Sequence, residues 1–250
     1  MELLITLFFV GLSSQFIGTL VGSGGLITFP AMLLLGVPVH STISANKLSN
    51  AISSTTSLIT LVKQRKIAVS DILKGGPIGL IAGVIGGLIT TSIPEPLMKT
   101  IAIFLLVFVL VLSFVKPNEA SRNSASKNPK GLMPIYFGIG VYNGAFGPGQ
   151  GSLLMHFLSR KGIDYLKTIG LTRANTLASG LGAVVTYIFS GDMIWSVAFA
   201  ITIGGIIGGQ IAIFIAPKMS KKVVHHLMRV VVILLIIQLL GENLIRGILS

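Results

Sequence analysis

The chain contains one sequence unit twice, and this repeat constrains its fold more than any other feature. The unit begins with a glycine-rich break, Gly22-Ser23-Gly24-Gly25 in the first copy and Gly147-Pro148-Gly149-Gln150-Gly151 in the second. A short apolar run follows, and then an Ala-Asn pair, Ala45-Asn46 or Ala174-Asn175. The breaks are 125 residues apart and the asparagines 129 apart. We therefore expect two related halves.

The composition indicates that both halves lie in a lipid bilayer. Hydrophobic residues make up 52% of the 250-residue chain and charged residues only 10%, too few to cover a soluble domain of this size. Several apolar runs are about 20 residues long, the length at which a helix crosses a hydrocarbon core. They lack the alternation of a transmembrane barrel. The sequence thus predicts an all-α, multi-pass protein of the cell membrane.

The apolar runs divide each half into a pair of helices around the break and three further spans. In the first half, residues 1–115, the pair lies at 3–21 and 26–36, and the spans at 43–62, 72–92 and 97–115. In the second half, residues 131–250, the pair consists of the run 132–146 and a short run that follows the glycine-rich break and ends at 159. The spans lie at 168–189, 194–215 and 223–240. The run at 26–36 is too short to cross a membrane, which predicts a broken or re-entrant pair. Because Glu2 precedes the first run where a signal peptide has basic residues, we expect that run to be retained.

The distribution of basic residues predicts that the two halves are inverted. One re-entrant pair and three spans give each half an odd number of crossings, so the polar linker 116–130 and the stretches 63–74, 160–173 and 217–229 share one side. These four stretches contain 16 of the 19 lysines and arginines. Since basic residues of short loops stay in the cytoplasm, the linker is predicted to be cytoplasmic and both termini extracytoplasmic. If the second pair made a full crossing, the bias would fall to about 9 against 10.

The paired breaks are the predicted binding site. A broken helix frees backbone N–H groups, which membrane interiors tolerate only where protein or ligand satisfies them. Matching breaks in inverted halves are typical of the substrate site of secondary transporters, and helix N-termini at such breaks favour an anion. The predicted substrate-binding residues are those of the breaks and of the spans that follow them: Gly22, Ser23, Gly24, Gly25, Asn46, Lys47, Asn50, Gly147, Gly149, Gln150, Gly151, Arg173, Asn175 and Thr176.

Charge placement also favours an anion. All seven acidic residues fall at predicted helix ends or in loops, so the sequence offers no membrane-embedded carboxylate to hold a cation. Lys47 and Arg173 lie beside the paired asparagines, where amide N–H groups can donate to oxyanion oxygens. Other interpretations stay open: the glycines as packing positions, Lys47 as a residue that extends toward the membrane surface, and the asparagines as partners in helix-to-helix hydrogen bonds.

The remaining functional classes have less support in the sequence. The chain has no cysteine, and its four histidines are dispersed, so neither a metal site nor a cofactor is predicted. The net charge of +12 lies in short clusters between apolar runs, without the interleaved aromatic residues of a nucleic-acid surface. Ser23 lacks a nearby base, so an intramembrane hydrolase is a remote alternative and we predict no catalytic residue. A scaffold subunit without transport is a second alternative, and a homo-oligomer is one arrangement that the sequence allows.

These motifs resemble those of the TauE/SafE sulfite-exporter family. The resemblance rests on the paired breaks, each followed by an Ala-Asn at the start of the next span, in two halves joined by a polar linker. It implies a transporter of small anions, with sulfite, organosulfonates and related sulfur or carboxylate anions as substrates. The chain departs from the family pattern where the glycine run shortens to Gly24-Gly25 and where Gln150 interrupts the second run.

Overall fold

The computed structural model describes residues 1–21, 24–114, 132–163, 165–215, 219, 223, 226, 229–238 and 241. Within these residues the protein consists of helices and connecting turns, without strands. The helices are α1 (Glu2–Val21), α2 (Gly25–Leu34), α3 (Val39–Lys63), α4 (Val69–Thr91), α5 (Glu95–Phe114), α6 (Leu132–Ala145), α7 (Gln150–Arg160), α8 (Tyr165–Ser190), α9 (Trp195–Ile215) and α10 (Arg229–Gln238). The predicted linker 116–130 lies outside the described residues.

The two half-helices that the sequence predicts are present. The α2 helix has 10 residues and α7 has 11, about half of what a crossing requires. The turn before α7 depends on glycine, because Gly147 and Gly149 have φ angles of +98° and +79°. L-residues rarely adopt this left-handed region, whereas glycine enters it without steric cost. The backbone conformation of the second break therefore requires these two glycines.

The first helix matches the apolar run predicted at 3–21. The α1 helix is 20 residues long, and it is one of three helices in the described part of the chain that are long and apolar enough to cross a membrane, with α4 and α9. Its length follows from the position of the break, which comes only after a predominantly apolar run of this length. Thus α1 has the length of a full crossing, and only α2 in the first half is short.

The helices of the two halves pack in matching pairs. The α1 helix packs against α9. The α6 helix occupies the position of α1 in the second copy of the repeat, and it packs against α4. Glycines permit these close approaches: a methyl group at Gly208 would overlap the backbone of Leu12 in α1, and one at Gly86 would overlap that of Val141 in α6. These glycines therefore allow close packing between helices.

The α3 and α8 helices pack against each other in antiparallel orientation. Ser41 near the start of α3 donates a hydrogen bond of 2.7 Å to the carbonyl of Asp192, just after α8. Farther along, Gly180 faces Ala51, and Gly170 near the start of α8 faces Ile67, which follows α3. The two helices thus run in opposite directions.

Charged residues separate between the two ends of the bundle. The loop after α3 carries Lys63, Arg65 and Lys66, and it lies at the same end as the start of α8, where Lys167 forms a 3.1 Å ion pair with Asp71 of α4. The opposite end carries acidic residues, and there Glu95 binds His40 and accepts a hydrogen bond from the Val39 N–H. One end is therefore basic and the other acidic.

Candidate functional site

The two breaks meet at a cavity in the middle of the bundle. Its volume is about 30 Å³, about two to three times what one water molecule needs. A methyl group at Gly25 would lie only 3.0 Å from the Cα atom of Pro148, so the breaks are in direct contact. The lining residues come from α1, α2, α3, α6, α7 and α8: Gln15, Gly18, Thr19, Gly24, Gly25, Asn50, Asn143, Gly147, Gly149, Gln150, Gly151, Met155, Ile169, Thr172, Arg173 and Thr176.

Two helix N-termini face this cavity. The residues that precede α2 and α7 are Gly24 and Gly149, and no side chain forms a capping hydrogen bond at either position. The N–H groups of a first helical turn lack partners within the helix and carry partial positive charge. Their convergence makes the cavity suited to a negatively charged ligand.

Arg173 supplies a full positive charge to the cavity. Its side chain is buried, with 6% of the residue exposed, and its guanidinium donates to Thr19 Oγ1 and, at 3.4 Å, to Gln15 Oε1. Both acceptors are neutral, and no carboxylate pairs with Arg173 among the described residues. A buried charge without a counter-charge is costly, and a bound anion would offset that cost.

The cavity also contains a buried hydroxyl without a hydrogen-bond partner. The hydroxyl of Thr172, next to Arg173 in α8, is buried and forms no hydrogen bond. Buried polar atoms are normally paired. By contrast, the cavity-lining side chains of Gln150 and Thr176 pair with each other at 3.0 Å. The Thr172 hydroxyl is thus available to a ligand.

Lys47 lies close to the cavity but does not line it. Its ammonium nitrogen Nζ is 2.9 Å from the carbonyl oxygen of Phe146 and 3.3 Å from Asn143 Oδ1, both at the end of α6. A methyl group at Gly147 would overlap this nitrogen. Lys47 therefore places its charge at a helix C-terminus, where the backbone dipole favours a cation.

The predicted site residues separate into three groups. Those that line the cavity are Gly24, Gly25, Asn50, Gly147, Gly149, Gln150, Gly151, Arg173 and Thr176. Lys47, Asn46 and Asn175 lie outside the lining. Asn46 accepts hydrogen bonds from Asn50, and Asn175 donates at 3.1 Å to the carbonyl of Tyr136 in α6, which is a helix-to-helix hydrogen bond. Gly22 and Ser23 lie outside the described residues.

Seven lining residues are not among the predicted site residues, because they belong to none of the motifs in the sequence. These are Gln15, Gly18, Thr19, Asn143, Met155, Ile169 and Thr172. One signal was present for the two α1 side chains: Gln15 and Thr19 are four residues apart in an otherwise apolar run, and this spacing places them on one helix face. Polar pairs of this kind within a membrane helix mark an inward-facing surface.

The apolar helices, the paired breaks and the buried polar cavity define a multi-pass membrane protein with the construction of a transporter. The chain belongs to the sulfite exporter TauE/SafE family, whose model matches residues 7–239. The chain is 30% identical over 247 residues to "Probable membrane transporter protein ORF9" of Sinorhizobium sp, covering 96% of this chain and 94% of that protein.

Two further relatives have names of the same kind. The chain is 26% identical to a "Probable membrane transporter protein" of Haemophilus influenzae, over 90% of this chain and 89% of the relative. It is 24% identical to "Probable membrane transporter protein YfcA" of Escherichia coli K12, over 96% and 91%. No solved structure matches the chain. The family and these relatives support a membrane transporter.

Proposed function

We propose that the protein is a secondary transporter of a small oxyanion, such as sulfite, an organosulfonate or a related sulfur or carboxylate anion. The observation that carries this proposal is Arg173, a buried cation that faces the cavity without a carboxylate partner in the described part of the chain. Guanidinium groups present N–H donors in a planar fork that matches two oxygens of one anion. Arg173 is therefore the primary ligand of the substrate.

The rest of the cavity completes an oxyanion site. Backbone N–H groups at the starts of α2 and α7 offer donors and partial positive charge. The Thr172 hydroxyl offers a donor that no protein group occupies. The small volume favours an anion of few atoms and disfavours a bulky organic substrate. Sulfite and short sulfonates have this combination of charge, oxygen atoms and size.

Alternating access through two inverted halves is the proposed mechanism. The antiparallel packing of α3 against α8 supports the inversion, and the matching pairs α1 with α9 and α6 with α4 support the repeat. In transporters built this way, one substrate site lies between the repeats and opens to either side as they move relative to each other. The cavity between the two breaks has that position.

We propose that the basic end of the bundle faces the cytoplasm. This end carries Lys63, Arg65, Lys66 and Lys167, and lysines and arginines of short loops remain inside the cell. The N-terminus of α1 then lies outside, as we expect for the C-terminus. We propose the cell membrane as the location of the protein, with the lipid bilayer as its surroundings.

A flux assay tests the proposed function. The purified protein is reconstituted into liposomes, and uptake of sulfite, thiosulfate, a sulfonate and a short carboxylate is compared with that of protein-free liposomes. We expect saturable uptake of at least one sulfur oxyanion, competed by its close analogues. Uptake that equals the protein-free background for every anion would favour the alternative of a scaffold subunit.

A further inference from the structure

A row of polar side chains leaves the cavity along one face of α3. Asn50, Ser53, Ser57 and Thr60 follow one another at spacings of three, four and three residues, which places them on one side of a helix. At the cavity, Asn50 accepts a hydrogen bond from Gln15. At the far end, Thr60 donates at 3.1 Å to Gln210 of α9, near the basic loop after α3. The row thus joins the cavity to the basic end.

Two hydroxyls in this row have no hydrogen-bond partner. Ser53 and Ser57 are both 0% exposed, and the Oγ atom of each is unpaired. Serines in membrane helices commonly donate to the carbonyl four residues earlier, but neither of these serines does so. Leaving a buried hydroxyl unsatisfied is unfavourable, so such groups normally contact water or a ligand. The two serines are therefore available to a polar species between the helices.

Gly209 of α9 lies opposite the Ser57 hydroxyl. A methyl group at Gly209 would lie 3.6 Å from both Ser57 Oγ and Thr19 Oγ1, which is ordinary van der Waals contact. The two hydroxyls thus face one point between α1, α3 and α9. Thr19 also accepts a hydrogen bond from Arg173 and lines the cavity. Thr19 therefore belongs both to the cavity lining and to this group of hydroxyls.

We propose that this hydroxyl seam, made of Thr19, Ser53, Ser57, Thr60, Gly209 and Gln210, is the route of the oxyanion between the cavity and the basic end. This inference rests on the proposed function. The hydroxyls donate in turn to the oxygens of the anion as it leaves Arg173, and the cluster of lysines and arginines at the end of the route attracts it. Because α3 and α9 are packed together here, passage requires them to separate.

Thiol accessibility tests the seam directly, since the chain has no cysteine of its own. Ser57→Cys is introduced alone, and an anionic methanethiosulfonate is applied from the side of the basic end. The matched control is Thr55→Cys, two residues away and exposed on the outer surface of α3. We expect modification of the Ser57→Cys thiol at least tenfold faster than of the control thiol, and slower in the presence of a transported anion.

Each outcome of this experiment has one meaning. Equal rates at the two positions, in protein whose wild-type form transports anions, would overturn the seam and leave the proposed function standing. Fast modification that no transported anion slows would overturn its role as the substrate route. Absence of anion flux in the wild-type protein would reject the proposed function itself.

A second variant narrows the seam without disturbing the fold. Gly209→Ala adds one methyl group at ordinary contact distances, and Gly76→Ala in α4 is the control because nothing lies within 4 Å of an added methyl there. We expect Gly209→Ala to lower flux several-fold with unchanged anion affinity, and the control to behave like wild type. Wild-type flux in Gly209→Ala would contradict the route.

Discussion

The ammonium nitrogen of Lys47 lies 2.9 Å from the carbonyl oxygen of Phe146, so a side chain of the first half holds the end of the first helix of the second half. Arg173 makes the reciprocal contact, because it belongs to α8 of the second half and binds Gln15 and Thr19 of α1. The two buried cations thus connect the halves in opposite directions. Only Arg173 also faces the cavity.

We predict that Lys47→Met lowers stability more than it lowers anion affinity. The substitution leaves the carbonyl of Phe146 and the side-chain oxygen of Asn143 without this donor, and each unpaired buried group costs about 1–3 kcal/mol. The measurement is thermal unfolding in detergent, together with anion binding at a temperature where the variant is folded. Unchanged unfolding combined with lost binding would instead make Lys47 a direct counter-charge of the substrate.

We predict that Thr172→Val weakens anion binding without destabilising the protein. Because the Thr172 hydroxyl has no partner in the protein, removing it breaks no internal hydrogen bond, and one lost bond to the anion corresponds to an about 2- to 10-fold weaker affinity. The control is Thr186→Val in the same helix, whose hydroxyl bonds the Ala183 carbonyl at 2.7 Å. Wild-type affinity in Thr172→Val would remove this hydroxyl from the site.

We predict that Gly149→Ala destabilises the second break for two separable reasons. An alanine at φ +79° carries left-handed backbone strain of about 1–2 kcal/mol, and its methyl group would overlap the side chain of Val109 in α5. Adding Val109→Ala should recover the steric part only, which a double-mutant cycle of unfolding temperatures measures. Full recovery of the unfolding temperature would show that backbone strain contributes nothing to the destabilisation.

We predict that the two ends of the bundle are labelled from opposite sides of the membrane. Gln64→Cys lies in the loop at the basic end and Ser190→Cys at the acidic end, and both positions are exposed. In intact cells an impermeant thiol reagent should label Ser190→Cys at once, and Gln64→Cys only after permeabilisation. The reverse pattern would invert the proposed orientation.

The sequence was informative where a local pattern determines local structure. The glycines before α2 and α7 predicted both half-helices, because no regular helix passes through such a break. The run predicted at 3–21 corresponds to α1, but an apolar run of this length fits either a full crossing or a helix that enters the membrane and stops. Neither composition nor period distinguishes these two arrangements.

The site was less predictable because it depends on which helix faces pack together. Lys47 follows Asn46 in the sequence, but consecutive residues of a helix do not face the same direction, and Lys47 points toward α6. Thr19 and Thr172 are 153 residues apart in the sequence but line one cavity, where Arg173 of α8 reaches Thr19 of α1. Such contacts between distant helices leave no mark in the local pattern.

Anion affinity of the Arg173→Gln variant tests the central claim most directly. Calorimetric titration with the anion that the wild-type protein transports fastest should show a loss of about 30-fold or more, because the substrate loses its partner in a buried charge pair. The control Arg65→Gln removes an exposed charge at the basic end and should bind like wild type. Equal affinity in wild type and Arg173→Gln would contradict the assignment of this cavity as the anion site.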